Sequence, residues 1–257
     1  MERGTRGIEI TRYGEALLRY AKLIDANLRF AADELETIHG SPAGQIRIGL
    51  TPVDGFYLAS PAIARLLKYR PHVEITIREG NSDTLIPNLL AGDIDFMLSP
   101  MPPSSTVGGI TGEMVTRMQS VLAVRPKHPL ARRRTLSFED LADVAWIVPT
   151  AGTLAAARLT NAFRSVGLTP PRSTIQVPAH SFINISLLLE HDFVAAIPQH
   201  LLDLITERGQ VKTLAVDTSA LDAPIYIARR ELGILPPACR ELISEIKKVS
   251  REVSSGA

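Results

Sequence analysis

The residues best placed to do chemistry are short polar side chains at the ends of predicted strands. They fall in four runs: Thr51-Pro52-Val53, Gly80-Asn81-Ser82, Pro149-Thr150-Ala151-Gly152-Thr153 and Pro178-Ala179-His180-Ser181-Phe182. In open α/β sheets ligands bind outside the carboxyl ends of strands, where backbone N–H groups at helix starts point outward. The chemistry on offer is recognition. Hydroxyls of Thr51, Ser82, Thr150, Thr153 and Ser181 and the Asn81 amide can bond a small polar molecule, and helix starts near Ser82, Thr153 and Ser181 favour a carboxylate or sulfonate. No lysine or arginine occurs in the four runs, so a permanent ion pair is not required, and a neutral sugar stands beside the organic anion as an alternative. Ser82, Thr153 and Ser181 are equally explained as helix N-caps. His180 either faces the ligand as a donor able to charge near neutral pH or bonds local backbone. Phe182 suits contact with an apolar ring or carbon skeleton.

Catalysis finds less support. Asp54, Asp93, Asp95 and His180 could supply acid–base work in a cleft, yet Asp93 and Asp95 flank a turn, where aspartate is common for backbone reasons. No pair has a spacing that forces proximity. HExxH, GxSxG, CxxC and metal-spaced His/Cys groups are absent from the sequence, so no catalytic residue, metal or cofactor is expected. Gly108-Gly109-Ile110 does not lead from a strand directly into a helix, as a phosphate-binding fingerprint would. The run Arg132-Arg133-Arg134 reads as solvated surface. Trp146, the only tryptophan, lies mid-strand and reads as core. The single cysteine, Cys239, rules out an internal disulfide, fits a reducing compartment and reads as a small apolar filler on the last helix.

These residues need elements to position them, and strands alternate with helices in the manner of α/β layering. Strands are expected at 45–51, 73–79, 94–99, 110–118, 119–125, 145–148, 174–177, 193–197, 211–216 and 223–228. Helices are expected at about 61–69, from Ser82 to a stop at Gly92, and over 153–166, 181–190, 199–208 and 236–253, with a short one at 138–141. Pro87 would cost the second of these a hydrogen bond, so a bent or late-starting helix is expected there. The pattern runs twice in series, which suggests two lobes with a cleft between them and a last strand and helix that return to the first.

At the other end of the chain, Leu17, Ala21, Ile24, Leu28, Ala31, Leu35 and Ile38 alternate spacings of four and three. This is the a/d pattern of a coiled-coil seam rather than of a helix lying on a globular core. The breaker Gly40-Ser41-Pro42 then leads straight into the first strand. A formal net charge of +1 over 257 residues gives no global reason to expect nucleic-acid binding. No apolar stretch is long enough for a membrane span, and the first residues are unlike a signal peptide.

The segment Glu2 to Leu18, ERGTRGIEITRYGEALL, resembles the end of the winged helix-turn-helix and the linker helix of LysR-type transcriptional regulators, and the remainder of the chain resembles that family's effector-binding domain. The resemblance implies an α/β, two-lobed periplasmic-binding-protein-like fold (type 2) with an N-terminal coiled-coil linker helix. It places a wing remnant at 1–10, the dimerisation helix at 11–40, lobe I at 43–117 plus 223–257, and lobe II at 118–222. By the same comparison Thr51, Asn81, Ser82, Thr150 and Ser181 match positions that touch the effector, an organic acid, aromatic acid or sugar. A homodimer or homotetramer is implied, in the cytoplasm and away from membranes. DNA would be met only through a helix-turn-helix of about 60 residues that precedes the linker and lies outside this chain, whether Met1 is a natural start or not. A free-standing solute receptor would need a signal peptide, and neither it nor a cleft enzyme has a use for the heptad arm.

Overall fold

The computed structural model describes residues 2–4, 7–38, 44–101, 108–171, 173–178, 183–205 and 210–255. It divides into two compact units, unit 1 comprising Met1–Val115 with Tyr226–Ala257, and unit 2 comprising Thr116–Ile225. Each unit is built on a five-stranded sheet.

Unit 1 begins with an antiparallel hairpin, β1 (Glu2–Gly4) and β2 (Gly7–Glu9), and continues into the 27-residue helix α1 (Arg12–Ile38). Its sheet is made of β3 (Gly44–Leu50), β4 (Val73–Glu79), β5 (Phe96–Pro100), β6 (Ile110–Met118) and β12 (Ala223–Arg230), in the order β4-β3-β5-β12-β6. β3 is parallel to both β4 and β5. Alternating β-branched and leucine residues make it a central strand, with Ile46, Ile48 and Leu50 all buried. Helix α4 (Ser82–Ala91) and helix α8 (Pro237–Ser255) belong to the same unit. α8 buries Cys239, Leu242, Ile246 and Val249, a stripe at helical spacing.

The strands of unit 2 are β7 (Ser120–Val124), β8 (Ala145–Pro149), β9 (Ser173–Val177), β10 (Phe193–Pro198) and the two-residue β11 (Lys212–Thr213). They lie in the order β11-β7-β10-β8-β9. β8 is parallel to β9 and β10, while β7 is antiparallel to β10. Helices α5 (Leu154–Ser165), α6 (Ile183–Glu190) and α7 (Gln199–Ile205) complete the unit. Trp146 is fully buried, its indole N–H donating to the Leu141 carbonyl at 2.9 Å, and it meets Phe163 edge-to-face at 5.6 Å. That settles it as core.

Four elements depart from the sequence expectation. The helix expected at 61–69 begins at Pro52: α2 (Pro52–Asp54), one π-helical turn (Gly55–Ala59) and α3 (Ser60–Leu66) run on without a break. Gly55 permits this, because a Cβ there would come within 2.5 Å of Leu50 Cδ1. Pro87 neither delays nor breaks α4, which starts at the Asn81 cap and stops at Gly92 with φ of 78°. Pro87 is on the exposed face, where water can serve the carbonyl it leaves unpaired. Ile94 and Asp95 precede β5 instead of opening it, and the strand expected at 211–216 shrinks to Lys212–Thr213.

The fifth departure concerns α1. Its seam face is exposed as expected, with Leu17 72 % and Leu28 66 % accessible and Ala21, Ile24, Ala31 and Leu35 also exposed. Ile38 closes the helix, and its side chain lies outside the described residues. Yet α1 also lies on a globular core. At about 100° per residue, Lys22, Ala26, Arg29 and Phe30 sit opposite the seam, and Ala26 and Phe30 are buried. Lys22 Nζ bonds Asp93 at 3.0 Å, and Arg29 Nη1 lies 3.9 Å from Asp95. One helix therefore carries two working faces.

Candidate functional site

In unit 1 the carboxyl ends of β3, β4 and β5 are tied together. Thr51 N–H donates to the Leu98 carbonyl and Gly80 N–H to the Leu50 carbonyl. Thr51 caps α2 with Pro52 in the first turn, the position where a missing N–H costs nothing. Its hydroxyl donates to Asp54 Oδ2 at 2.5 Å, and Asp54 N–H returns a bond of 3.4 Å to that hydroxyl. Thr51, Val53 and Asp54 are buried. Asp54, an acid–base candidate in the sequence, is therefore a brace inside the helix start. Burial pushes its carboxyl up to about 7 against the opposing pull of the Thr51 hydroxyl.

The second junction of unit 1 corrects a capping assignment. Asn81 is the N-cap of α4, its side-chain oxygen accepting from Thr84 N–H at 3.0 Å. Ser82 is buried in the first turn, its hydroxyl donating to the Pro100 carbonyl and lying 3.1 Å from Ser99 Oγ. A serine that spends its proton on the end of β5 shapes the junction, whereas the exposed Asn81 is open to solvent.

In unit 2 Pro149 ends β8, and Thr150 N–H donates to the Val177 carbonyl at 2.8 Å. Thr153 caps α5: its hydroxyl donates to the Thr150 carbonyl and accepts from Ala156 N–H. Thr150 is exposed. His180, Ser181 and Phe182 lie outside the described residues.

Beside these strand ends unit 2 has a hollow of about 40 Å³, lined by Ser120, Pro149, Arg158, Leu159, Asn184 and Pro198 among others. Reading the junctions alone misses Arg158 and Asn184. The signal for Arg158 was helical: Ala155, Arg158 and Leu159 share one face of α5 at i, i+3, i+4 spacing. Burial and the neighbouring Arg117 guanidinium hold Arg158 below the ordinary arginine range. Asn184 is 7 % exposed, and among the described residues its Oδ1 has no hydrogen-bond partner. Ser120 N–H donates to Asp222 Oδ1 at 3.0 Å.

The arginine run behaves as surface. Arg132, Arg133 and Arg134 are exposed, and Arg133 pairs with Asp140 at 2.7 Å. Among the described residues no group of three or more histidine, cysteine or acidic side chains is arranged to hold a metal ion, and no helix is long and apolar enough to cross a membrane.

Comparison with known proteins gives a consistent picture. Residues 39–251 match the family model described as the LysR substrate binding domain. The chain is 28% identical over 250 residues to the HTH-type transcriptional regulator GbpR of Azospirillum brasilense, covering 97% of this chain and 73% of that protein. It is 26% identical over 250 residues to the HTH-type transcriptional regulator GalR of Pseudomonas putida, covering 97% and 62%. Among solved structures, the effector binding domain of QuiR in complex with shikimate superposes with a TM-score of 0.70 at 17% identity, covering 82% of this chain and 98% of that one. Full-length BenM does so with a TM-score of 0.70 at 20% identity, covering 98% and 82%.

The Asp54 geometry predicts a pH effect. Its folded value of about 7 lies above the ordinary 3.8, so the native chain binds the extra proton. The stabilisation is complete below the unfolded value and is lost as pH rises through the folded one. Relative to the parent, Asp54→Asn should gain a few kcal/mol of unfolding free energy between pH 4 and 8, read by urea titration at each pH. Parallel pH profiles for the two proteins would contradict the assignment.

Proposed function

The chain belongs to the LysR family of transcriptional regulators, and from that premise we propose that it senses a small organic anion and reports it through the α1 arm to a second copy of itself. The fold is the two-lobed periplasmic-binding-protein-like fold of LysR effector-binding domains, and the relatives are transcriptional regulators. That weighs against a cleft enzyme or a free-standing solute receptor. The observation that carries the proposal is the two-faced α1: its inner face rests on unit 1 while an apolar heptad seam is left exposed.

Ligand binding at the strand ends can bias such a regulator only by differing in affinity between two arrangements. Couplings of about 1–3 kcal/mol, roughly 5- to 150-fold in affinity, are enough for a switch. An anion is favoured over a neutral sugar by the outward-facing helix starts at Asn81 and Thr153. QuiR with shikimate and BenM with benzoate as its effector add support, since both ligands are carboxylates. The exposed Asn81 and Thr150 and the half-buried Thr153 are the proposed contacts of the described junctions, with Thr51, Pro52, Val53, Ser82 and Pro149 shaping them. His180, Ser181 and Phe182 join as sequence-based candidates.

In a thermal-shift screen of small acids with their matched amides and of sugars, an acid at 100 times its dissociation constant should add about 2.7 kcal/mol of stability; amides that protect as well as their acids would remove the anion. On the seam, burying one leucine contributes roughly 1.5–3 kcal/mol, so Leu28→Asp should weaken self-association at least about tenfold in sedimentation velocity while leaving the fold intact. Unchanged assembly would show that the arm does not hold the copies together.

A further inference from the structure

The hollow in unit 2 holds two unmet demands that the described residues do not answer. Arg158 carries a permanent charge into a partly buried position, and among the described residues no carboxylate pairs with it. Its charged neighbour is another cation, Arg117. Two like charges side by side without an anion raise the cost of keeping both. Asn184 presents the second demand: an acceptor oxygen, in a residue more than nine-tenths buried, with no donor among the described residues. Buried acceptors of this kind are normally satisfied. A third observation bounds the occupant's size. The space of about 40 Å³ has room for roughly three water-sized groups, which is a head group and not a whole metabolite.

We propose that this hollow seats the 2-hydroxycarboxylate head group of the effector, the carboxylate paired with the Arg158 guanidinium and the hydroxyl donating to Asn184 Oδ1. The assignment rests on the effector-sensing reading above and deepens it. Guanidinium and carboxylate match in planar, two-bond geometry, and Arg117 adds attraction. The hydroxyl is preferred to an ammonium as the donor to Asn184 because, among the described residues, no acidic side chain lines the hollow. Asp222, which contacts the wall residue Ser120, is engaged with its amide. Apart from Ser120, whose hydroxyl donates to the Leu221 carbonyl, the rest of the wall is apolar, with Ile147, Pro149, Leu159 and Pro198, and excluding water there strengthens both polar contacts.

The test is a ¹H–¹⁵N chemical-shift titration of the full chain, at constant ionic strength, with three matched probes: lactate, propionate and propane-1,2-diol. Lactate should bind roughly tenfold more tightly than either of the others, with shifts at unit 2 residues around Ser120, Arg158 and Asn184. Arg158→Met should weaken lactate and propionate alike by roughly tenfold or more, and Arg158→Lys, which keeps charge and bulk, should fall between. Asn184→Ala should erase the advantage of lactate over propionate and leave propionate unchanged. Equal binding of propionate or the diol and lactate to the parent would overturn the proposal. So would a folded Arg158→Met or Arg158→Lys that binds lactate as the parent does. If a ligand from the thermal-shift screen protects parent and Arg158→Met equally, the effector-sensing reading stands and the head-group assignment falls. If no compound in that screen protects the parent, both fall together.

Discussion

A carboxylate with no access to water sits at Asp95, and unit 1 is assembled around it. Its Oδ2 accepts from Arg47 N–H at 2.7 Å, while its own N–H donates to the Arg47 carbonyl at 2.7 Å, which locks the turn before β5 to β3. Arg29 reaches toward it from α1, and Arg230, whose guanidinium bonds the Leu89 and Ile94 carbonyls, adds charge from β12. Cys239 of α8 lies 3.8 Å from Oδ2. Desolvation raises the Asp95 pKa, and the Arg47 amide and the arginine charges pull it back. Removing one member of such a buried set costs about 3–5 kcal/mol, because the others are left uncompensated. Five elements thus depend on one side chain.

The consequence reaches the arm. Arg29 and Arg230 both lie over the Phe30 ring, at 5.8 and 5.7 Å, so the charge cluster and the apolar contact of α1 form one joint. Among the described residues Arg29 Nε and Asp95 Oδ1 have no hydrogen bond of their own, and the ion pair at 3.9 Å is longer than a direct bond. The joint is held by position and burial more than by ideal geometry. A helix seated in this way shifts with the unit beneath it, and the proposed route from ligand to assembly needs that property. The seam on the opposite face remains open for a second copy.

The same physics decides which features were legible in the sequence and which were hidden. The heptad seam was legible because seven apolar residues recur at coiled-coil spacing. The docking face of α1 was not, because Lys22, Ala26, Arg29 and Phe30 show no apolar period: two of the four are charged, and their partners lie more than sixty residues away. Asp95 read as an ordinary turn aspartate for the same reason. The alternation of strands and helices was legible, yet the helix start at Thr51 was missed although Thr51-Pro52-Val53-Asp54 carries the signature of a capping box. The π-helical turn at Gly55–Ala59 obscured the 3.6-residue period beyond it. At the candidate site, the strand-end runs were visible as clusters of hydroxyls, but Arg158 and Asn184 lie inside α5 and α6, where only three-dimensional packing brings them to one hollow.

The joint between α1 and unit 1 is the point on which the proposed route from ligand to assembly depends, and a double-mutant cycle on Arg29→Met and Asp95→Asn tests it most directly. Unfolding free energies of the parent, the two single variants and the double variant give the coupling, with hydrogen exchange across α1 showing where it acts. The joint predicts a coupling of about 1 kcal/mol or more, together with faster exchange along α1 in each single variant. Additivity within about 0.3 kcal/mol, with α1 protected as in the parent, would mean that the arm is not held to the unit through Asp95.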